Sequence, residues 1–336
     1  MGFSMGYGPA KDEDSKKTLA KAVELGCVFW DSAVVYGAGH NEKLLGDFIR
    51  EAGCRDKVFV ASKCGIEVGL QAFHSHSFET RPADVPLLLP LLHQVDFETK
   101  QMGKANNSAA HIDDFIEGTI ERLGFTPDLY YLHRIEPGRD LNESITALQR
   151  LKENGKCKYI GLSECSAQTL RRACQVAHID ALQIEYSPWF TDHEQNGLID
   201  TAKELGVAII AYSPLGKGVL TGNYQSQADF AEGDVRKTIP RFSEENLDAN
   251  LRLVREFQKL AGKKGCTSGQ LALAWVIAQG AIPIPGTKSA DRVVENFGAT
   301  DVELSEDELR EIRVIIEDAK PAGARYNEGA LKMVGH

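Results

Sequence analysis

Basic charge is in short supply in this 336-residue chain: 38 Lys and Arg stand against 48 Asp and Glu, a formal net charge of −10. Binding to nucleic acid or to an anionic membrane needs clustered cations that displace counterions. Here the basic residues are scattered and the Arg171-Arg172 pair is too short to matter, so neither partner is expected. Cysteine is scarce as well. Seven residues, an odd number, do not make a disulfide scaffold in a chain of this length. Cys27, Cys157 and Cys165 fall in or beside apolar runs, where a reduced thiol packs as a small hydrophobe. A reducing, cytoplasmic compartment is the expectation. No apolar run approaches the roughly 18 residues of a membrane span. The opening MGFSMGYGPA has no basic stretch leading into an apolar one, and Gly6 breaks the myristoylation pattern. Walker, zincin and nucleophile-elbow patterns are missing. His74 and His76 have no Cys or carboxylate at ligand spacing, so no metal site is expected.

What the chain does have is alternation. Residues 12–25 carry Leu19 and Val23 at helical spacing and stop at Gly26, a natural C-cap. A short apolar strand follows at 27–31 (CVFWD), then strand 58–63 (VFVASK), helix 109–123, strand 129–133 (LYYLH), helix 143–154 and strand 159–163 (YIGLS). Helix 166–176, strand 181–187, helix 195–205, strand 208–213, helices near 246–264 and 268–279, and strand 282–287 complete the series. Seven strands, near-continuously apolar, are what a sheet covered by helices outside and filled by side chains within requires. The pattern fits an α/β (β/α)8 TIM barrel lacking one strand better than a doubly wound sheet. One domain spanning 1–336 is expected, since barrels run well beyond the roughly 150 residues of an average domain. Two stretches break the rhythm: 66–107, with LLLPLLH at 87–93, reads as an atypical insertion, and 214–245, rich in Gly, Ser and charge, as a mobile βα loop.

In a parallel barrel the chemistry sits at the C-terminal ends of the strands. Those ends carry Asp31, Lys63, His133, Ser163, Glu185 with Tyr186, Ser213 with Pro214, and Gly286 to Lys288. Each alone has a plain structural reading: a turn cap, a snorkelling lysine, a satisfied core histidine. Together, Asp31, Lys63 and His133 on successive strand ends, with Tyr36 just beyond the first, converge on one rim. A phenol with an ordinary pKa of about 10 exchanges protons poorly at neutral pH unless a cation stabilises its phenolate. Lys63 can be that cation, Asp31 can hold it charged, and His133 can donate to a substrate oxygen. Such a set protonates an alkoxide as hydride arrives at a carbonyl carbon. No protein side chain carries hydride, so a nicotinamide cofactor is needed.

The segments WDSAVVYG (30–37), VFVASK, LYYLHR (129–134), GLSECSA (161–167), QIEYSPW (183–189), AYSPLGKGVLTG (211–222) and PIPGTKSADRVVENFGA (283–299) resemble the aldo-keto reductase superfamily. They are most similar to its microbial and fungal branch of pyridoxal reductase-like and aryl-alcohol dehydrogenase-like enzymes. The resemblance implies a catalytic tetrad of Asp31, Tyr36, Lys63 and His133, with Tyr36 the proton donor. It implies that Ser163 and Gln183 hold the nicotinamide carboxamide and that Tyr212 stacks on the ring. Ser213, Leu215, Gly216 and Gly218 would line the pyrophosphate, the 214–222 loop closing as a belt. Gly286, Thr287, Lys288, Ser289 and Arg292 would take the 2′-phosphate, and Glu295 and Asn296 the adenine. NADP(H) is the implied cofactor, and a small-molecule aldehyde or ketone the implied substrate, touched by Tyr36, His133 and Trp189.

Two departures accompany the resemblance. The family opens with a hairpin and a first barrel strand, and here Met1 to Ser4 resembles only the turn that ends that strand. The connection 66–107 is also longer than the family needs. Both read as gene-model artefacts, a late start and a retained intron. The missing strand would leave two sheet edges open. The alternatives to catalysis are a cofactor-binding regulatory subunit of the channel β-subunit type and a truncated inactive product. GARY (323–326) resembles the branch's C-terminal segment and is expected to cover the site. The oligomeric state is not legible.

Overall fold

A computed structural model describes residues 1–67 and 103–336, so the expectations for 74–76 and 87–93 lie outside the described residues. Helix α1 (Asp12–Leu25) stops at Gly26, whose φ of 80° lets its N–H close onto the carbonyls of Ala22 and Val23. Only a residue without Cβ takes that turn freely. The chain then enters β1 (Phe29–Asp31), helix α2 (His40–Ala52) and β2 (Phe59–Cys64). Next come α3 (Ala109–Leu123), β3 (Leu129–Leu132), α4 (Leu141–Glu153), β4 (Tyr159–Ser163), α5 (Ala167–Val176) and β5 (Ala181–Glu185). The second half holds α6 (Asp192–Gln195), α7 (Leu198–Glu204), β6 (Ala208–Tyr212), α8 (Glu244–Lys264), α9 (Ser268–Ala278), β7 (Ile282–Ile284), α10 (Ala290–Phe297), α11 (Glu306–Asp318) and α12 (Glu328–Leu331).

The seven strands form one sheet in chain order, and every neighbouring pair is parallel. A doubly wound sheet reverses its order at a switch point, and this one never does. It is a nearly closed α/β barrel, as expected for the (β/α)8 fold. Ala61, Leu129, Tyr131, Ala181 and Ile210 fill its interior, with Phe29, Phe59 and Ile284 against them. A Cβ at Gly161 would come within 2.4 Å of the Tyr131 ring, so glycine is what admits that tyrosine to the interior. The outward residues Tyr130, Leu132, Ile160, Leu162, Leu182 and Ile184 pack under the helices. Among the described residues, strands β1 and β7 each pair on one side only, and Thr18 of α1 donates to the Lys288 carbonyl across that gap.

Several boundaries differ from the sequence reading. Helix α2 was not anticipated, although its buried Leu44, Leu45, Phe48 and Ile49 share one face. The helix expected at 195–205 is two short helices parted at Gly197, where φ is 78°. The 214–245 segment is a chain of short 3₁₀ turns. It is anchored by fully buried Val219, Leu220, Phe230, Ile239 and Phe242. Ile66 bridges Ala105, and the Asn106 N–H donates to the Gly65 carbonyl at 3.0 Å. The two ends of the long connection therefore meet at the end of β2.

Candidate active site

Parallel register brings the strand ends to one rim. Lys63 pairs with Tyr131, Ser163 with Gln183, and Glu185 with Tyr212. Lys63, only 1% exposed, donates to the Asp31 carboxylate, to the Ser32 carbonyl at 2.8 Å and to the Tyr36 hydroxyl at 3.5 Å. Burial, the largest influence, pushes its ammonium down, yet Asp31 and Tyr36 outweigh it and hold Lys63 above its ordinary value. Tyr36 is presented by the turn after β1, where its N–H meets the Ala33 carbonyl at 3.0 Å and its carbonyl receives the Asn41 N–H at 3.2 Å. The His133 ring stands edge-on to Tyr36, centroids 5.8 Å apart. Burial, then Arg134 and Lys63, drive His133 well below the usual histidine range. It is therefore a neutral imidazole, and its buried Nδ1 has no partner among the described residues. The four residues of the expected tetrad thus lie together.

The remaining expected residues surround them. Ser163 is buried and accepts from Arg134 at 3.3 Å. Gln183 is turned to Asp31, donating to its second oxygen at 2.8 Å. Tyr212 shares a 2.7 Å hydrogen bond with Tyr326 of the C-terminal tail. Ser213, Gly216, Lys217 and Gly218 all have left-handed backbone, with φ between 49° and 97°, and Leu215 packs on the core between them. The Gly216 and Gly218 N–H groups donate back to the Ser213 and Leu215 carbonyls, both at 2.9 Å, which fixes the turn. A Cβ at Gly216 would meet Trp189 at 2.7 Å, and one at Gly218 would meet Tyr224 at 3.1 Å, so the loop tolerates only glycine there. Beyond β7, Gly286 is open, the Thr287 hydroxyl accepts from the Ser289 N–H at 3.1 Å, and Lys288 donates to the Tyr7 and Pro9 carbonyls. The Arg236 guanidinium lies 4.3 Å from the Tyr224 ring centroid, and Arg292 is a second cation acting on that phenol. Although burial would raise it, the Tyr224 phenol is lowered by these two cations. The Glu295 carbonyl receives Gln270 at 3.0 Å, and Asn296 follows it on α10. Arg236 donates to the Lys217 carbonyl at 2.9 Å and lies 5.2 Å from the Tyr7 ring, while the Tyr7 backbone carbonyl receives Lys288, so cations border this loop, a charge that suits the phosphates of a dinucleotide.

Trp189 lies deeper than a pocket wall. It is 3% exposed, edge-on to Phe242 at 5.3 Å and covered by Arg241 at 5.5 Å, with its indole N–H unpartnered among the described residues. The sequence reading gave no role to Arg134, Lys217 or Arg236, and none to the charge pairs that Glu164 and Glu185 make with Arg325. Glu185 carried the one usable signal, as a charged residue closing an apolar strand. No cluster of metal-ligating residues occurs among the described residues.

The profile of the Aldo/keto reductase family matches residues 1–317. An aldo-keto reductase of Gibberella moniliformis is 50% identical over 338 aligned residues, covering 100% of this chain and 94% of that protein. The chain belongs to the aldo/keto reductase family. An NADP(+) aldo-keto reductase of Schizosaccharomyces pombe is 39% identical, with 98% of this chain and 90% of that one covered. Among solved structures, a glycerol dehydrogenase from Gluconobacter oxydans aligns with a TM-score of 0.78 at 25% identity, covering 95% of this chain and 90% of that one. A thermostable aldo-keto reductase bound to epalrestat aligns with a TM-score of 0.67 at 23% identity, over 93% of each chain, a likeness of fold. This aldo/keto reductase is accordingly an oxidoreductase of the family that reduces carbonyls with NAD(P)H.

Proposed function

We propose that the protein reduces an aldehyde or ketone to the alcohol with NADP(H), and that Tyr36 is the general acid. The observation that carries this reading is the buried Lys63, held charged by Asp31 and in hydrogen-bond reach of the Tyr36 hydroxyl. Bound NADPH supplies the hydride. Tyr36 delivers its proton to the carbonyl oxygen, and the Lys63 ammonium stabilises the phenolate left behind. Neutral His133 contributes one N–H to the same oxygen, and a low-dielectric rim strengthens both contacts. Ser163 and Gln183 are read as the carboxamide contacts, Tyr212 as the ring platform, and 213–218 as the pyrophosphate cradle. Gly286, Thr287, Ser289 and the two cations Lys288 and Arg292 are assigned to the 2′-phosphate, and Glu295 and Asn296 to the adenine. A preference for NADP(H) follows from that charge, and the name of the S. pombe relative agrees with it. The substrate is read as a small carbonyl compound, pyridoxal and aromatic or aliphatic aldehydes being the first to assay. No helix among the described residues is long and apolar enough to cross a membrane, and a cytoplasmic site is the proposed location.

The test is NADPH oxidation with a panel of aldehydes and the Tyr36→Phe variant. Loss of general acid catalysis lowers turnover by about 100-fold or more, while NADPH binding, followed by protein fluorescence quenching, persists. Unchanged turnover in Tyr36→Phe overturns the role of Tyr36.

A further inference from the structure

Two carboxylates close neighbouring strands at the rim, Glu164 just after β4 and Glu185 at the end of β5, and both are at most 2% exposed. Buried carboxylates are tolerated only when charged partners and hydrogen bonds replace water. Here the principal partners come from distant segments. Arg325 of the C-terminal tail donates to Glu164 at 2.6 Å and to Glu185 at 3.2 Å. Lys217 of the left-handed belt donates to the other oxygen of Glu185 at 2.7 Å. Glu185 thus holds the belt with one oxygen and the tail with the other.

The tail is seated on both sides of Arg325. Ala322 exchanges two hydrogen bonds with the buried Asn250 side chain of α8, at 2.7 and 2.9 Å. The Ala324 carbonyl receives the Arg241 N–H at 3.2 Å. Further along, the Gly335 N–H donates to the Glu164 carbonyl at 2.8 Å. The Arg325 guanidinium lies 4.4 Å from the Phe190 ring centroid and 5.2 Å from that of Tyr326. Tyr326, held in this way, places its hydroxyl 2.7 Å from that of Tyr212. The Lys217 ammonium stands 4.9 Å over the Tyr326 ring, so belt and tail also touch directly.

We propose that Arg325 and Tyr326 are positioning residues for the nicotinamide site: Glu164 and Glu185 seat Arg325, Arg325 seats Tyr326, and the Tyr326 hydroxyl fixes the ring of Tyr212. The proposal rests on the reading of Tyr212 and the 213–218 loop as cofactor contacts. Its consequence is that belt and tail open together, because both are tied to Glu185. Release of the dinucleotide then requires the tail to lift. Burial keeps both phenols in the neutral form across the working pH range, so their hydrogen bond does not depend on pH there.

The experiment measures NADPH dissociation from the full chain in a stopped-flow instrument, with excess NADP+ as the chase and dinucleotide fluorescence as the signal. Tyr326→Phe keeps the ring and removes the hydroxyl, and should raise the dissociation rate about three- to tenfold, the scale of one hydrogen bond. Arg325→Met should raise it further, and Arg325→Lys should restore much of the loss. Arg171→Met, which breaks a surface ion pair with Glu204, should leave the rate unchanged. If Arg325→Met does not melt cooperatively, Tyr326→Phe decides alone, since it leaves every charge in place. A Tyr326→Phe rate equal to the wild-type rate overturns the positioning role while the proposed function stands. A wild-type protein that takes up no NADPH overturns both.

Discussion

Gln183 on β5 and Asp31 on β1 are joined by a 2.8 Å hydrogen bond from amide to carboxylate, while the other Asp31 oxygen carries Lys63. Asp31 is therefore clamped from two strands, and Lys63 inherits its position from both. A carboxylate so held has no freedom to swing away from Lys63. Gln183 then stabilises the tetrad whether or not it also meets the cofactor.

Gln183→Leu preserves bulk and removes the donor. One oxygen of a nearly buried carboxylate loses its partner, at a cost of about 1–3 kcal/mol. Urea denaturation should show that loss, and turnover should fall as Lys63 gains freedom. An unchanged midpoint with unchanged turnover would mean that the clamp contributes nothing.

Arg292 and Arg236 are the two cations that lower the Tyr224 phenol. A charge-assisted contact to a 2′-phosphate is worth about 1.5–3 kcal/mol, roughly a 10- to 100-fold change in affinity. Arg292→Met should lose that much for NADPH and little for NADH, as measured by fluorescence titration of both. Equal losses for the two cofactors would move Arg292 from the 2′-phosphate to the pyrophosphate they share.

Stability should depend on pH through His133. Burial, Arg134 and Lys63 hold it neutral in the folded protein, whereas in the unfolded chain it takes up a proton near pH 6.5. The unfolded state thus binds more protons below that pH. The stability from this group is full above about pH 6.5 and declines as pH falls, by at most about 1.4 kcal/mol per pH unit. His111, also lowered chiefly by burial, acts in the same direction. The depressed carboxylates such as Glu164 and Asp128 act only below about pH 4, where unfolded carboxyls protonate. Denaturation free energies between pH 7 and 5 should therefore fall in wild type and fall less in His133→Asn. Equal slopes would mean that folded His133 is protonated.

The barrel was legible because each strand is a short apolar run closed by a polar residue, and YIGLS and the helix at 109–123 begin and end as their sequences suggest. That Asp31, Tyr36, Lys63 and His133 gather at one rim was legible for the same reason, since three of them are those closing residues and Tyr36 follows the first. Helix α2 was not, because Gly46 interrupts its interior and Gly39 precedes it at φ 88°, both breakers by local rules. The GARY segment was expected over the site, but the particular contacts of Arg325 and Tyr326 were hidden for a different reason. Their partners Glu164 and Tyr212 lie 161 and 114 residues away, and no local spacing encodes a contact made only when the tail crosses the rim.

Gly46 gives the sharpest test of how the helical layer supports the site. A Cβ there would lie 2.3 Å from the Leu123 carbonyl oxygen and 2.8 Å from that of Arg122, backbone atoms that cannot swing aside. Helix α2 would have to move off α3. It carries Asn41, which accepts from the Ser32 hydroxyl at 2.9 Å, and fully buried Glu42, which accepts from Ser62, Thr119 and Arg122. Ser32 and Ser62 adjoin Asp31 and Lys63 in the chain, and the Tyr36 turn leads straight into α2. Alanine is the better helix former by about 1 kcal/mol, yet overpacking costs about 1–3 kcal/mol. Gly46→Ala should therefore lower both the denaturation free energy and turnover, because the same displacement that relieves the clash shifts Tyr36 from Lys63. A Gly46→Ala protein more stable than wild type would mean that α2 and α3 part without penalty and that propensity alone governs this position.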